Sequence, residues 1–173
     1  MTVFAFLRAV NLGKYNKVPM KELIALMDAR GLGPAAFLLA SGNLIFPDGT
    51  PDQIKQTLKQ LIAEQFAVDT DAIMRRSADL RALVDANPYG VPETGSVQIS
   101  IWDGTADPDG LEELAAMDHG PDELTLTKNA AIIRYAGSSH DSKLSNNLIS
   151  RRLKVPATLR NVKTFIRLLE KFG

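Results

Sequence analysis

The chain has 173 residues, of which 45% are hydrophobic and 23% are charged, a balance typical of a globular protein that excludes disorder, collagen and a coiled coil. Basic and acidic residues both number 20, so the formal net charge is zero and a globally basic nucleic-acid binder is disfavoured. The absence of cysteine excludes disulfides, a zinc-thiolate site and a cysteine nucleophile, and indicates a reducing cytoplasm. The first apolar run, Val3 to Leu7, stops at Arg8, so neither a signal peptide nor a membrane span is expected.

The charges are nevertheless segregated along the chain. Residues 77–133 contain 2 basic and 11 acidic side chains, a net charge of −9, whereas residues 134–173 contain 9 basic and 2 acidic ones, a net charge of +7. Either the basic tail lies on the acidic middle segment, or it forms a face for an anionic partner. The near match of the two charges and their adjacency in the chain favour the first interpretation.

Apolar patterns in the first half of the chain predict the order strand, helix, strand, strand, helix, strand. Short apolar runs predict strands at residues 3–7, 36–40, 44–46 and 72–75. A helix is expected after Pro19, because apolar residues recur at helical spacing from Met20 until Gly31. Thr50-Pro51-Asp52-Gln53 is a capping box that starts a second helix. Ser41-Gly42-Asn43 suits the tight hairpin between the second and third strands.

The second half repeats part of this order. A helix is expected from about Ser77 to just before Pro88, and alternating apolar residues predict a strand up to Trp102. Asp107-Pro108 starts a further helix. Residues 124–127 and 130–135 predict a hairpin, residues 142–153 a helix, and residues from Asn161 onward the last helix.

The predicted fold class is therefore α+β, with two ferredoxin-like subdomains that have antiparallel sheets, followed by helical C-terminal residues. The first subdomain is expected at residues 1–76, the second at residues 77–140 and the C-terminal helices at residues 141–173. In this interpretation the second subdomain lacks its last strand.

Three stretches of the sequence carry a family resemblance. They are Leu7-Arg8-Ala9-Val10-Asn11-Leu12-Gly13-Lys14 with Lys17-Val18-Pro19-Met20; Ser41-Gly42-Asn43; and Ser142-Lys143-Leu144-Ser145-Asn146 continuing to Arg160-Asn161-Val162-Lys163-Thr164. Together and in this order they resemble the bacterial family called domain of unknown function 1697 (DUF1697). Ala9 and Lys14 stand where that family has glycine, which restricts positive φ there, and Val162 stands where it usually has tryptophan. The resemblance implies two ferredoxin-like subdomains plus helical C-terminal residues, and no substrate.

The topology of the first subdomain predicts a binding site. In a split βαβ unit the first two strands are parallel, so the loop after the first strand and the hairpin after the second lie at the same end of the sheet. Cations, amides and a hydroxyl then converge beside a helix N-terminus, as an anionic ligand requires. These side chains are Arg8, Asn11, Lys14, Asn16, Lys17, Ser41 and Asn43. The alternative is structural: the asparagines satisfy loop backbone groups and Arg8 pairs with a carboxylate.

The C-terminal segment offers a second candidate site. Asn161 is placed to cap the last helix, whose free amide groups would face a phosphate near Arg160 and Lys163. The alternative is a plain cap, with Arg160 bound to an acidic residue of the middle segment. The preceding helix has a basic side that includes Arg151 and Arg152, which is either solvated surface or a phosphate contact.

No catalytic constellation is complete in the sequence. Neither His119 nor His140 has a partner at metal-ligand spacing, so no metal, cofactor or catalytic residue is predicted. The favoured function is binding of an anionic ligand, either a phosphorylated metabolite or nucleic acid, of which nucleic acid is the less favoured. One alternative is an enzyme acting on a phosphorylated or carboxylated metabolite, with Lys14 or Lys17 as electrostatic stabiliser, and another is a protein-interaction domain that uses the acidic middle segment. No membrane partner is expected, and the sequence predicts no particular oligomeric state.

Overall fold

A computed structural model describes residues 1 to 173 and contains eight strands and six α-helices. The strands are β1 (Val3–Leu7), β2 (Ala36–Leu38), β3 (Asn43–Phe46), β4 (Ala72–Arg76), β5 (Ser96–Trp102), β6 (Glu123–Leu126), β7 (Ala130–Tyr135) and β8 (Ala157–Asn161). The helices are α1 (Met20–Ala29), α2 (Pro51–Phe66), α3 (Ser77–Asp85), α4 (Pro108–Ala116), α5 (Asn146–Leu153) and α6 (Val162–Phe172). None of the helices combines the length and the apolar character needed to cross a membrane.

The fold is α+β with two four-stranded antiparallel sheets in ferredoxin-like subdomains, which confirms the predicted fold class. The chain divides into two compact units, Met1–Arg81 with Leu168–Gly173, and Ala82–Arg167. This division differs from the three ranges expected from the sequence. Residues 141–167 do not stand apart as helices, because α5 and β8 build part of the second unit.

In the first unit the sheet has the strand order β2-β3-β1-β4, with β1 antiparallel to both β3 and β4. All five residues of β1 are buried, which explains its continuous apolar sequence. Helices α1 and α2 contribute Leu23 and Leu58 to the core of this unit, which also contains Phe46. Since β3 is antiparallel to β1 and to β2, β1 and β2 are parallel with β3 between them, as predicted.

The second unit has the equivalent strand order β6-β7-β5-β8. The expectation that this unit lacks its last strand is wrong, because β8 pairs with β5 along five residues, with Arg160 opposite Ile99. The sequence Ala-Thr-Leu-Arg-Asn of β8 carries few apolar residues and leads directly into α6, so it gives no strand signal of its own. Trp102 and Tyr135 are fully buried in the core of this unit.

Helix α5 begins at Asn146 rather than at Ser142 as predicted. The Ser142 hydroxyl donates a hydrogen bond to Asp122 (2.5 Å) and accepts one from the Leu144 N–H (3.0 Å). These local bonds hold the segment outside the helix. The Ser145 hydroxyl then caps α5 by accepting a hydrogen bond from the Leu148 N–H at 3.1 Å.

Ion pairs connect the acidic middle segment to the basic tail within the second unit. Lys143 pairs with Asp118 at 3.3 Å, Arg134 with Glu123 at 3.3 Å and Lys154 with Asp107 at 3.7 Å. Arg152 pairs with Glu113. Four of the nine basic side chains of residues 134–173 are therefore neutralised by the acidic segment, in agreement with internal complementarity.

Candidate functional site

The loop after β1 and the hairpin between β2 and β3 meet at one end of the first sheet. The Leu7 N–H donates a hydrogen bond to the Gly42 carbonyl at 2.8 Å, which joins the end of β1 to the hairpin. Arg8 follows at once and is half-buried, with its N–H bonded to the Asp71 carbonyl at 3.0 Å. The convergence of these segments agrees with the topological argument made from the sequence.

Asn11 connects the two segments through its side chain. Its amide nitrogen donates to the Ala40 carbonyl at 2.7 Å and to the Val18 carbonyl at 2.9 Å, and its amide oxygen accepts from the Val18 N–H at 2.8 Å. Both amide hydrogens and the amide oxygen are thus bound to backbone groups. In this structure Asn11 stabilises the loop and the hairpin, which is the structural role considered as the alternative for this residue.

The loop after β1 is tightly folded and uses left-handed backbone conformations. Ala9, Asn11 and Asn16 have φ values of 54°, 54° and 51°, respectively. Asparagine tolerates this region better than most residues, whereas alanine is disfavoured there. The Asn16 side chain supports the turn by donating to the Ala9 carbonyl at 2.9 Å. The backbone of Ala9 is therefore strained, because it adopts a left-handed conformation that favours glycine, the residue of the family pattern at this position.

Ser41 and Asn43 have different surroundings. Ser41 is exposed, whereas Asn43 is 0% exposed and donates hydrogen bonds to the Leu38 carbonyl (2.6 Å) and to the Ser41 hydroxyl (3.2 Å). These bonds close the hairpin from inside. Asn43 is thus structural here, and Ser41 is the residue of this pair at the surface.

A cavity of about 470 Å³, which we call the loop cavity, opens beside the hairpin and the start of α1. Its polar side chains are Asn11, Lys17 and Lys21. Its apolar lining comes from Val18, Pro19, Met20, Phe37 and Ala40. The volume falls within the range of roughly 300 to 1,000 Å³ that is usual for small-molecule sites.

Positive charge is concentrated around the loop cavity. Lys14, Lys17 and Lys21 are exposed, and none of them forms an ion pair. Helix α1 begins after Pro19, which provides no side-chain cap, so the first amide groups of the helix lack an acceptor within it. Glu22 is the acidic side chain of the first turn, so Lys17 and Lys21 outnumber it at this positive end of the helix dipole, where lysine is electrostatically unfavourable.

Asp71 directly precedes β4 at the same end of the first sheet. Burial raises the pKa of this carboxyl, but a hydrogen bond from the Ala72 N–H and the charges of Lys55 and Lys59 outweigh burial and lower its pKa below the usual value. The two lysines lie 3.4 and 3.6 Å from the carboxylate. The cations on this side are therefore neutralised, unlike those at the loop cavity.

An exposed apolar patch lies next to the loop cavity. Leu12, Tyr15 and Leu39 are 58%, 69% and 47% exposed, respectively, and are three of the five large apolar side chains that the whole chain exposes. Leu12 and Tyr15 face each other across a β-bridge. Asn11 and Ala40, which line the cavity, precede Leu12 and follow Leu39 in the sequence. We call Leu12, Tyr15 and Leu39 the apolar patch.

The residues of the second candidate site, Arg160, Asn161 and Lys163, belong to the second unit. The Asn161 side chain accepts a hydrogen bond from the Lys163 N–H at 3.0 Å, as expected for a cap of α6. The Arg160 guanidinium donates to the Thr158 hydroxyl at 2.8 Å and to the Leu159 carbonyl at 3.0 Å, and burial lowers its pKa to about 10. Lys163 is exposed. Arg160 and Asn161 are thus bound to neighbouring groups.

The comparisons with known proteins identify the family. The model of the family described as protein of unknown function (DUF1697) matches residues 1–131, which include the whole first unit up to Arg81 and the loop cavity. The chain belongs to the DUF1697 family. Its resemblance to that family, which was expected from the three stretches of sequence, is confirmed.

A solved structure of the same fold is that of the conserved bacterial protein SP0830 from Streptococcus pneumoniae. It is 20% identical to this DUF1697 protein, with a TM-score of 0.74, and the match covers 99% of this chain and 98% of that one. At this level of identity the likeness concerns the fold alone. No curated protein matches the sequence.

The sequence did not indicate two residues of the loop cavity. Lys21 lies on the exposed side of α1, and Phe37 lies on the edge strand β2 and reads as an ordinary core residue. The sequence contained one signal for Lys21. Lys17 and Lys21 lie on either side of Pro19 at the predicted start of a helix, where acidic residues are more favourable than lysine. Phe37 carried no comparable signal.

Proposed function

We propose that this protein binds a small anionic molecule in the loop cavity. The observation that carries the proposal is a cavity of about 470 Å³ bordered by Lys17 and Lys21 at the start of α1. Lys14, Lys17 and Lys21 are exposed and form no ion pair, and Glu22 is the acidic side chain of the first turn of α1. Exposed lysines around a concave surface attract and orient an anion.

A small molecule is favoured over nucleic acid as the ligand. Nucleic-acid binding requires a track of basic groups free to contact phosphates, and four basic side chains of the tail are already paired with acidic ones. The lysines of the loop cavity border a pocket rather than a track. A phosphorylated or carboxylated metabolite fits this arrangement better.

The protein is proposed to act in the cytoplasm. The chain contains no cysteine, and proteins of oxidising compartments commonly rely on disulfides. Phosphorylated and carboxylated metabolites are also abundant in that compartment, which makes the location consistent with the ligand class.

The experiment is a calorimetric titration of the protein with inorganic phosphate and a set of small phosphate esters and carboxylates. We expect the wild type to bind at least one of these anions and the Lys17→Glu/Lys21→Glu variant to bind none, because reversed charges repel the ligand. Lys128→Glu is the matched control, since Lys128 is an exposed lysine on the β6–β7 hairpin of the second unit. Failure of the wild type to bind any of the anions, or equal binding by the double variant, would reject the proposal.

A further inference from the structure

Not every polar side chain that lines the loop cavity is available to a ligand. Asn11 already uses both amide hydrogens and its oxygen on the Val18 and Ala40 backbone. The remaining polar side chains of the lining are the two lysines, Lys17 and Lys21. A ligand rich in hydroxyl groups would find no neutral side chain to pair with, and unpaired buried hydroxyls are costly.

The rest of the lining is apolar. Val18 and Met20 are buried, so the apolar lining that solvent reaches comes mainly from Pro19, Phe37 and Ala40. Removing this surface from water requires an apolar group of the ligand, which an inorganic anion lacks. The lining of the cavity therefore combines cationic and apolar groups.

Exposed apolar side chains lie next to the cavity residues in the sequence. Leu12, Tyr15 and Leu39 expose most or about half of their side-chain surface. Leu39 adjoins Ala40 and Leu12 adjoins Asn11, both of which line the cavity. An apolar ligand body longer than the cavity would contact this patch, while its charged end stays at the lysines.

We propose that the ligand of the loop cavity is an amphiphilic anion, with one phosphate or carboxylate group joined to an alkyl or aryl body. This inference rests on the proposed function and adds the chemical class of the ligand. The source to which we commit is a single dissolved molecule rather than a lipid bilayer, because the charged and apolar parts meet in a concave cavity of small-molecule size. The class excludes sugar phosphates as preferred ligands.

The test compares octyl phosphate, below the concentration at which it forms micelles, with inorganic phosphate and glucose 6-phosphate in calorimetric titrations. Octyl phosphate should bind at least about tenfold more tightly than either of the others, which corresponds to about 1.4 kcal/mol. If glucose 6-phosphate binds as tightly as octyl phosphate, the amphiphilic class is wrong and the proposed anion site remains. If none of the three binds, both proposals are rejected.

Two variants separate the apolar contribution from the charge. Phe37→Ala should weaken octyl phosphate about tenfold and leave inorganic phosphate unchanged. Phe66→Ala is the matched control, because Phe66 is also half-buried against the core of the first unit but does not line the cavity. Leu39→Asn should act in the same direction without unfolding the protein, since Leu39 is exposed at φ 67°, a conformation that asparagine tolerates.

Two results would contradict the inference. Binding of octyl phosphate that neither Phe37→Ala nor Leu39→Asn weakens would place its apolar body elsewhere. Cosedimentation of the protein with phosphatidylserine vesicles, without binding of octyl phosphate in solution, would assign the patch to a membrane surface instead. Either result contradicts a dissolved amphiphile in the loop cavity.

Discussion

Replacing Asn11 by alanine should loosen the connection between the loop after β1 and the hairpin. The change removes three side-chain hydrogen bonds, of 2.7, 2.8 and 2.9 Å, each worth about 1 kcal/mol net. It also places alanine at a φ of 54°, where asparagine is better tolerated. Asn16→Ala is the matched comparison, because Asn16 has a similar φ of 51° and a single side-chain bond, to Ala9. The two variants should therefore differ by about 2 kcal/mol in the free energy of unfolding, the value of two hydrogen bonds.

Amide hydrogen exchange measures this difference in the first unit alone. Slowly exchanging amides of β1 and β3 report the free energy of opening for that unit, and the Val18 amide reports its own bond to Asn11. Asn11→Ala should accelerate exchange at Val18 far more than Asn16→Ala does. If the two variants have equal stabilities and equal exchange rates at Val18, the Asn11 side chain does not hold the two segments together and the reasoning fails.

Other predictions concern packing, strain and charge. Leu23→Ala should destabilise by roughly 2 to 5 kcal/mol in urea titrations, because Leu23 is 0% exposed in the core of the first unit; a loss near zero would contradict its burial. Ala9→Gly should stabilise by about 1 kcal/mol by the same measurement, because glycine adopts its φ of 54° without strain; destabilisation would mean that the alanine is not strained. The folded-state pKa of Asp71 lies below 3.8, so its stabilising contribution is present above that pH and is lost as the pH falls through the lowered value. Asp71→Asn should therefore flatten the dependence of stability on pH in that acidic range, and an unchanged dependence would contradict the lowered pKa. Arg152→Glu should cost at most about 1 kcal/mol, because its pair with Glu113 is largely exposed; oligonucleotide binding by the wild type that this variant abolishes would instead favour an external role for the basic tail.

The fold could be predicted where a single element carries its own signal. The continuous apolar run of β1 and the capping box at Thr50, whose hydroxyl accepts a hydrogen bond from the Gln53 N–H at 3.3 Å, are both present in the structure. Strand β8 could not be predicted, because Thr158 and Arg160 are polar residues that become buried or half-buried only when β8 pairs with β5. Its strand character comes from its partner rather than from its sequence.

For the candidate site, the sequence predicted which segments meet but not what each side chain binds. Topology alone was enough to bring the segment containing Asn11 to the hairpin, because parallel strands end at the same side of a sheet. The role of each side chain depended on packing. Asn11 and Asn43 satisfy backbone groups, and the cavity owes its apolar walls to residues such as Phe37 whose side chains read as core. Which polar groups remain available to a ligand follows only from three-dimensional contacts.

The strand order of each unit also determines where the chain enters and leaves it. Val3, at the start of β1, lies opposite Arg76, at the end of β4, and Gln98, near the start of β5, lies opposite Asn161, at the end of β8. Each sheet is thus entered and left at a single corner. Such a unit can be inserted into a chain, or followed by another, without a long connection crossing its surface. This gives a physical reason why two sheets of the same order fit within so short a polypeptide.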